Sequence, residues 1–175
     1  FLDPSLMDLH DPGLLPGIER AAERLLGAAR SGEPIVVYGD YDVDGITASA
    51  IVLRMLRALE PGVRATAYVP HRVDEGYGLN EAALRGLAAD GARVVVSVDC
   101  GITAVGPARA ARDAGLDLII TDHHNLPAEE AGEEDGGAGD GLPEAYALVH
   151  PRLPGGDGYP FGELCGAGVA YKLAW

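Results

Sequence analysis

Short runs of β-branched residues alternate along this chain with longer segments whose apolar residues recur at helical spacing. The runs predict strands at 34–38, 63–69, 93–98, 116–120 and 145–149. The longer segments predict helices from Asp11-Pro12 to about Gly32, at 46–59, from Asn80 to about 89, at 104–114 and at 166–175. Strands joined by helices of this length run parallel. We therefore expect an α/β fold: a doubly wound, mainly parallel five-stranded sheet with helices on both faces.

Composition restricts what such a domain can do. The chain has 175 residues and a formal net charge of −14, which argues against a protein that grips nucleic acid by overall charge. No apolar run approaches the roughly 20 residues of a membrane span, and two cysteines are too few for a disulfide framework. We expect a soluble, cytoplasmic protein. Residues 127–143 are rich in Glu, Asp and Gly and are predicted to be a flexible insertion, with an acidic recognition loop as the alternative.

Polar residues follow each of the first four predicted strands. They are Asp40, Asp42 and Asp44 after the first strand, His71 and Arg72 after the second, Asp99 after the third, and Asp122, His123, His124 and Asn125 after the fourth. The carboxyl ends of parallel strands lie along one edge of a sheet, where ligands bind. Crowded carboxylates repel one another, and divalent cations relieve that repulsion. Mixed carboxylate and imidazole ligands suit manganese or a similar ion.

Other interpretations of these residues are weaker. The spacing Asp-x-Asp-x-Asp-Gly resembles the start of a calcium loop, but the twelfth position is Ile51 rather than Glu. Taken alone, Asp99 would be an ordinary turn or cap residue. A Cys100–histidine nucleophile is conceivable, although the surrounding acids would raise the pKa of the thiol. A P-loop motif is absent from the sequence.

Three stretches together resemble a known family. Residues 37–45 (VYGDYDVDG) look like the first motif of the DHH phosphoesterase superfamily, residues 98–103 (VDCGIT) are similar to its second, and residues 121–125 (TDHHN) carry its Asp-His-His signature. Within the superfamily, residues 1–12, 70–79 and 166–172 resemble the RecJ family of bacterial single-strand-specific exonucleases.

The resemblance implies a role for each candidate residue. Asp40, Asp42, Asp44 and His123 would hold two divalent cations, Mn²⁺ or Mg²⁺, and Asp99 would bridge them. His124 would face the scissile phosphate, and Asp122 would orient a histidine. His71 and Arg72, at the same predicted edge, would bind the substrate through its phosphates, and Asn125 would also contact it. Tyr77 would either stack on a base or pack within its own loop. Two ions about 4 Å apart can stabilise both the attacking and the leaving oxygen of an in-line displacement.

The resemblance also implies a function and a domain plan. We expect a two-metal phosphodiester hydrolase that removes nucleotides from the 5′ end of single-stranded DNA in repair or recombination. The alternatives are a phosphodiesterase of short oligoribonucleotides or small nucleotides, and a catalytically silent scaffold in a replication complex. Residues 1–33 would be a leader and helix, and 34–175 a catalytic domain whose fourth-motif aspartate, DHHA1-type domain and nucleic-acid-binding domains lie outside this chain. A single-strand-binding protein or a helicase would be a partner, and a membrane would not.

Overall fold

A parallel sheet of five strands forms the centre of the computed structural model, which describes residues 3, 5–71, 73–127, 141–154 and 159–175. The strand order is β2-β1-β3-β4-β5. The strands are β1 (Ile35–Tyr38), β2 (Ala65–Tyr68), β3 (Val94–Val98), β4 (Asp117–Thr121) and β5 (Ala147–Val149). Every pair of neighbouring strands is parallel, so the predicted sheet is confirmed.

Helices cover both faces of the sheet, as predicted. They are α1 (Ile18–Ser31), α2 (Val43–Leu59), α3 (Glu81–Ala89), α4 (Val105–Asp113) and α5 (Gly166–Ala174). Successive side chains of a strand point to opposite faces; thus Ile35 and Val37 pack in one core with α1, α2 and α5. Val36 and Tyr38 pack in the other core with α3 and α4.

Two predicted helix starts are wrong, and each error has a local cause. Asp11 accepts a hydrogen bond from Gly13 N at 2.8 Å, but it caps only a 3₁₀ turn, Pro12–Leu14. The α-helix begins at Ile18, after Gly17 adopts a left-handed backbone with φ 77°. Helix α2 begins at Val43, three residues before the predicted start, because Asp42 caps it through Gly45 N.

The strand order decides which loops meet. Strands β1, β3 and β4 are neighbours, so the loops that follow them share one stretch of the carboxyl edge. Strand β2 is at one margin of the sheet and β5 at the other. The predicted insertion at 127–143 lies mostly outside the described residues, and so does Arg72. Within the described ranges, no helix is both long and apolar enough to cross a membrane.

Candidate metal centre

Two groups of metal-ligating side chains share one residue at this edge. Asp40, Asp42 and Asp99 form the first group, and Asp99, His123 and His124 form the second, with the candidate ligand atoms of each group within 4.8 Å of one another. The loops after β1, β3 and β4 supply them. Asp99 therefore stands between an all-carboxylate group and a group with two imidazoles, which is an arrangement suited to two cations with a common ligand.

Asp99 is held in an unfavourable environment for a carboxylate. Its backbone is left-handed, with φ 63°, and its side chain is buried. Among the described residues its Oδ1 has no hydrogen-bond partner; His123 Nε2 lies 3.0 Å away without the alignment of a hydrogen bond. Burial raises the pKa of Asp99, and the charges of Asp44 and Asp42 add to the shift against the opposing effect of His123.

A bound cation would stabilise this buried carboxylate. Adjacent ligand atoms of an octahedral ion with bonds of about 2.1 Å are about 3 Å apart, which matches the separation of Asp99 Oδ1 from His123 Nε2, 3.0 Å. A cation would also satisfy the buried oxygen and offset its negative charge. The residues present therefore fit a divalent metal ion.

The loop after β1 is packed tightly against the first turn of α2. Asp40 is buried and its Oδ1 accepts from Tyr41 N at 2.7 Å. Asp42 Oδ1 accepts from Gly45 N at 2.9 Å. A Cβ atom on Gly45 would lie 2.6 Å from Asp40 Cβ, so only glycine fits there. The helix N-terminus favours the negative charge of this loop.

Asp44 lies differently from the other predicted ligands. Its Oδ2 accepts from Gly166 N and its Oδ1 from Ala167 N, both at 2.7 Å, so it binds the N-terminus of α5. It is in neither ligand group, although its Oδ2 is 3.6 Å from His123 Nε2. Each carboxylate oxygen has a second lone pair, and a metal role for Asp44 stays a prediction.

Gly166→Ala is expected to lower both the melting temperature and the Mn²⁺ affinity. A Cβ atom there would lie 2.4 Å from Asp99 Oδ1 and 2.7 Å from Asp99 Cγ. Either Asp99 or α5 must move, at a cost of about 1–3 kcal/mol for an overpacked site. Thermal melting with and without Mn²⁺ measures both effects.

Gly168→Ala is the matched control on the same helix. The nearest atom to its Cβ would be the flexible Leu164 Cδ2, at 3.1 Å, and alanine favours a helix interior by about 1 kcal/mol over glycine. Equal melting temperatures and Mn²⁺ affinities for the two variants would contradict the close packing of Gly166 on Asp99.

Asp122 is a buried carboxylate whose hydrogen bonds are satisfied. Its Oδ2 accepts from Ile102 N at 2.9 Å, and its Oδ1 accepts from His123 N at 2.7 Å and His124 N at 3.2 Å. Its Oδ1 is also 2.7 Å from His124 Nδ1. Burial acts to raise the pKa of Asp122, but the bonds from His124 and Ile102 N outweigh it and hold the pKa below its usual value.

His124 is oriented by Asp122 and faces a tyrosine. The hydrogen bond to Asp122 raises the pKa of His124, against the effect of burial. Its other ring nitrogen, Nε2, is 3.4 Å from Tyr77 Oη, and the two rings meet edge to face. Tyr77 is 57 % exposed and also contacts the ring of Tyr41 edge to face. A substrate can therefore reach Tyr77 beside His124.

The other predicted substrate-binding residues are placed less centrally. His71 follows the marginal strand β2, is exposed, and its Nδ1 lies 2.8 Å from Asp74 Oδ2. Asn125 Oδ1 accepts from Arg152 Nη2 at 3.3 Å. Neither residue belongs to a ligand group of the described chain. Their contacts with a substrate stay predictions.

Cys100 is a core residue rather than a nucleophile. It is buried among the residues that pack against α3 and α4. Burial raises the pKa of its thiol well above the usual value, and the charges of Asp122, Asp40 and Asp99 raise it further. A thiol that stays protonated is a poor nucleophile.

Two residues that touch the site were missed in the sequence, His150 and Arg152. His150 Nε2 is 2.8 Å from His124 O, and Arg152 Nη2 donates to His123 O at 3.2 Å. Their position in the sequence could have identified them. They follow β5 just as the other polar residues follow the first four strands.

Comparison with known proteins gives a consistent result. Residues 34–175 match the sequence profile described as the DHH family, N-terminal domain. The chain is 44 % identical over 174 residues to the single-stranded-DNA-specific exonuclease RecJ of Bacillus subtilis, covering 99 % of this chain and 20 % of that protein.

Solved structures agree with the sequence comparison. A crystal structure of exonuclease RecJ bound to manganese has a TM-score of 0.73 and 36 % identity, over 92 % of this chain and 37 % of that one. RecJ from Thermus thermophilus in complex with Mn²⁺ has a TM-score of 0.71 and 32 % identity, over 99 % of this chain and 22 % of that one. The chain thus spans well under half the length of each of these relatives.

Proposed function

The chain belongs to the DHH family, and on that premise we propose that it is the catalytic domain of a two-metal phosphodiesterase that degrades single-stranded DNA from the 5′ end. The observation that carries the proposal is the position of Asp99, a buried carboxylate common to both ligand groups. Asp40, Asp42, Asp99 and His123 would hold the cations, Mn²⁺ or Mg²⁺, with Asp44 beside them.

The remaining site residues have complementary tasks. The cations, when bound, supply charge stabilisation and lower the pKa of a water molecule. Asp122 fixes the ring of His124, whose Nε2 would donate, from the imidazolium form of the ring, to a phosphate oxygen on which negative charge develops. Tyr77, exposed beside His124, would stack on a base. His71, Arg72 and Asn125 would also bind the substrate.

The names of the relatives support single-stranded DNA as the substrate over short oligoribonucleotides. The natural protein that carries this sequence can be tested with a 5′-labelled 30-residue single strand of DNA, the RNA of the same sequence, and a dinucleotide. We expect Mn²⁺-dependent release of 5′ nucleotides from the DNA and no reaction with chelator. Faster cleavage of the dinucleotide would favour the small-nucleotide alternative. Tight Mn²⁺ binding with no cleavage of any substrate would favour a silent scaffold.

His123→Ala and His124→Ala are expected to fail in different ways. His123 Nε2 faces Asp99 Oδ1 at 3.0 Å, so its loss should weaken Mn²⁺ binding. His124 Nδ1 is taken by Asp122, so its loss should lower the rate by about 10² or more, the scale of lost electrostatic stabilisation, with metal affinity little changed. Calorimetric titration and single-turnover rates measure the two effects, and an equal loss of Mn²⁺ affinity in both variants would contradict the assignment.

The proposal extends to cellular context. A nuclease acting on single strands in repair or recombination would work in the cytoplasm, beside a single-strand-binding protein or a helicase. The similarity to bacterial RecJ exonucleases is what supports this extension. The test is co-purification of such a partner with the natural protein. Loss of the partner when the complex is washed at high salt would indicate a direct electrostatic contact.

A further inference from the structure

We propose that His150 and Arg152 are positioning residues that hold the main chain of His123 and His124 from the side opposite Asp122. This inference rests on the proposed function, since it concerns the same two imidazoles. It assigns a task to the segment that follows β5, which the metal centre itself does not contain.

His150 makes a bond at each of its ring nitrogens. It is completely buried, its Nε2 is 2.8 Å from His124 O, and its Nδ1 accepts from Arg152 N at 3.0 Å. A carbonyl oxygen can only accept, and a backbone N–H can only donate. The ring is therefore the neutral tautomer with its proton on Nε2. An asparagine side chain offers the same pair of a donor and an acceptor, whereas leucine offers neither.

Arg152 adds a second contact to the same stretch of backbone. Its Nη2 donates to His123 O and to His124 O, both at 3.2 Å, and to Asn125 Oδ1 at 3.3 Å. One guanidinium nitrogen thus contacts an oxygen atom of each of three consecutive residues. The planar group of arginine fixes such a geometry better than the flexible ammonium of lysine.

Different residues therefore bind the N–H groups and the carbonyl groups of the loop that follows β4. Asp122 accepts from the N–H groups of His123 and His124, while His150 and Arg152 bind their carbonyl groups. The loop itself has no helical or strand hydrogen bonding. Strand β5 brings the two parts together, since Thr121 pairs with Val149 and Asp122 N donates to Val149 O at 3.1 Å.

These contacts with the main chain matter because metal sites tolerate little displacement of their ligands. Ligand distances must stay within about 0.2 Å of their ideal values, and His123 Nε2 stands 3.0 Å from Asp99 Oδ1. Loss of residues that orient metal ligands typically lowers metal affinity or activity by about 10–100-fold. We expect His150 and Arg152 to act in this range although neither belongs to a ligand group.

The first experiment compares His150→Leu with His150→Asn by calorimetric titration of the metal-free protein with Mn²⁺. We expect His150→Leu to lose Mn²⁺ affinity by about 10–100-fold and His150→Asn to keep it within about threefold, because asparagine keeps a hydrogen-bond donor and an acceptor at this position. Unchanged affinity in a folded His150→Leu variant would overturn the proposal. Equal losses in the two folded variants would also overturn it, because that result would assign the effect to packing alone.

The second experiment tests the inference without His150→Leu, in case that variant fails to fold. Arg152→Met is compared with Arg57→Met, a control that removes the same charge from the exposed end of α2. We expect Arg152→Met alone to lower Mn²⁺ affinity, by about tenfold, and to speed hydrogen exchange at the amides of His123 and His124. Unchanged exchange in Arg152→Met would overturn the inference. The exchange measurement needs no metal, so it decides the inference even if wild-type protein binds no Mn²⁺, a result that would refute the proposed function.

Discussion

Asp99→Asn is expected to abolish tight Mn²⁺ binding and turnover while leaving the metal-free protein at least as stable as the wild type. Asp99 is common to both ligand groups, so its loss affects two cations at once. Without metal its buried Oδ1 has no hydrogen-bond partner in the described chain. The charges of Asp44 and Asp42 also oppose its ionised form, so a neutral side chain relieves the repulsion.

Asparagine is the informative substitution because of the backbone at this position. Asp99 has φ 63°, a conformation that asparagine and aspartate adopt readily and that costs other residues about 1–2 kcal/mol. Asp99→Ala would therefore combine relief of repulsion with backbone strain. The measurement is the melting temperature with and without Mn²⁺, with the exposed Asp113→Asn as control. A Mn²⁺-induced increase in melting temperature that survives Asp99→Asn would refute the assignment of Asp99 as the shared ligand.

The fold was predictable because each strand has a local signal in the sequence. A run such as Val94–Val98 is apolar except for Ser97 and is buried on both faces, which is typical of a parallel strand covered by helices on both sides. The first helix start was not predictable from the same kind of signal. Asp11-Pro12 is a genuine cap, but a single turn satisfies it, and the chain leaves the helical conformation at Gly17, whose backbone is left-handed.

The site was predictable to the extent that topology alone fixes it. Parallel strands place their carboxyl ends together, and β1, β3 and β4 are adjacent, so Asp42, Asp99 and His123 had to meet. The bonds from Asp44 to the N-terminus of α5 join residues more than 120 positions apart, and local patterns carry no trace of them. The left-handed backbone of Asp99 is equally invisible in the sequence.

His150 and Arg152 illustrate a different limit. Their position after β5 follows the same rule as that of the other strand-end residues, yet a histidine and an arginine near a proline have no distinctive spacing. Their importance depends on two carbonyl groups in another loop. Main-chain acceptors are present at every residue, so a sequence does not reveal which of them a side chain will bind.

Asp99 and Asp122 are both buried aspartates at this edge, but they have opposite effects on stability. Burial opposes the ionisation of Asp99 and raises its pKa, and a cation would offset that cost. Asp122 accepts from three backbone N–H groups and lies against the ring of His124. Within the described residues, Asp99 Oδ1 therefore lacks a hydrogen-bond partner when no metal is bound. The oxygens of Asp122 have theirs within the protein.

Asp122→Ala is therefore expected to destabilise the metal-free protein strongly. Leaving a buried donor without its acceptor costs about 1–3 kcal/mol, and here the N–H groups of Ile102, His123 and His124 lose their acceptor together. The control is Asp113→Ala, an exposed aspartate at the end of α4, which should change the free energy of unfolding by no more than about 0.5 kcal/mol. Urea unfolding with chelator present measures both variants.

The pH dependence of this effect gives an independent check. The folded pKa of Asp122 lies below its usual value, so its carboxylate stabilises the fold at pH values above the unfolded pKa of about 4, and that stabilisation is lost as the pH falls through the folded pKa. The gap in unfolding free energy between wild type and Asp122→Ala should accordingly shrink as the pH falls below about 4. A gap that stays constant over this range would assign the loss to packing, and a gap below about 1 kcal/mol at pH 7 would refute the role of Asp122 as the acceptor that organises the histidine loop.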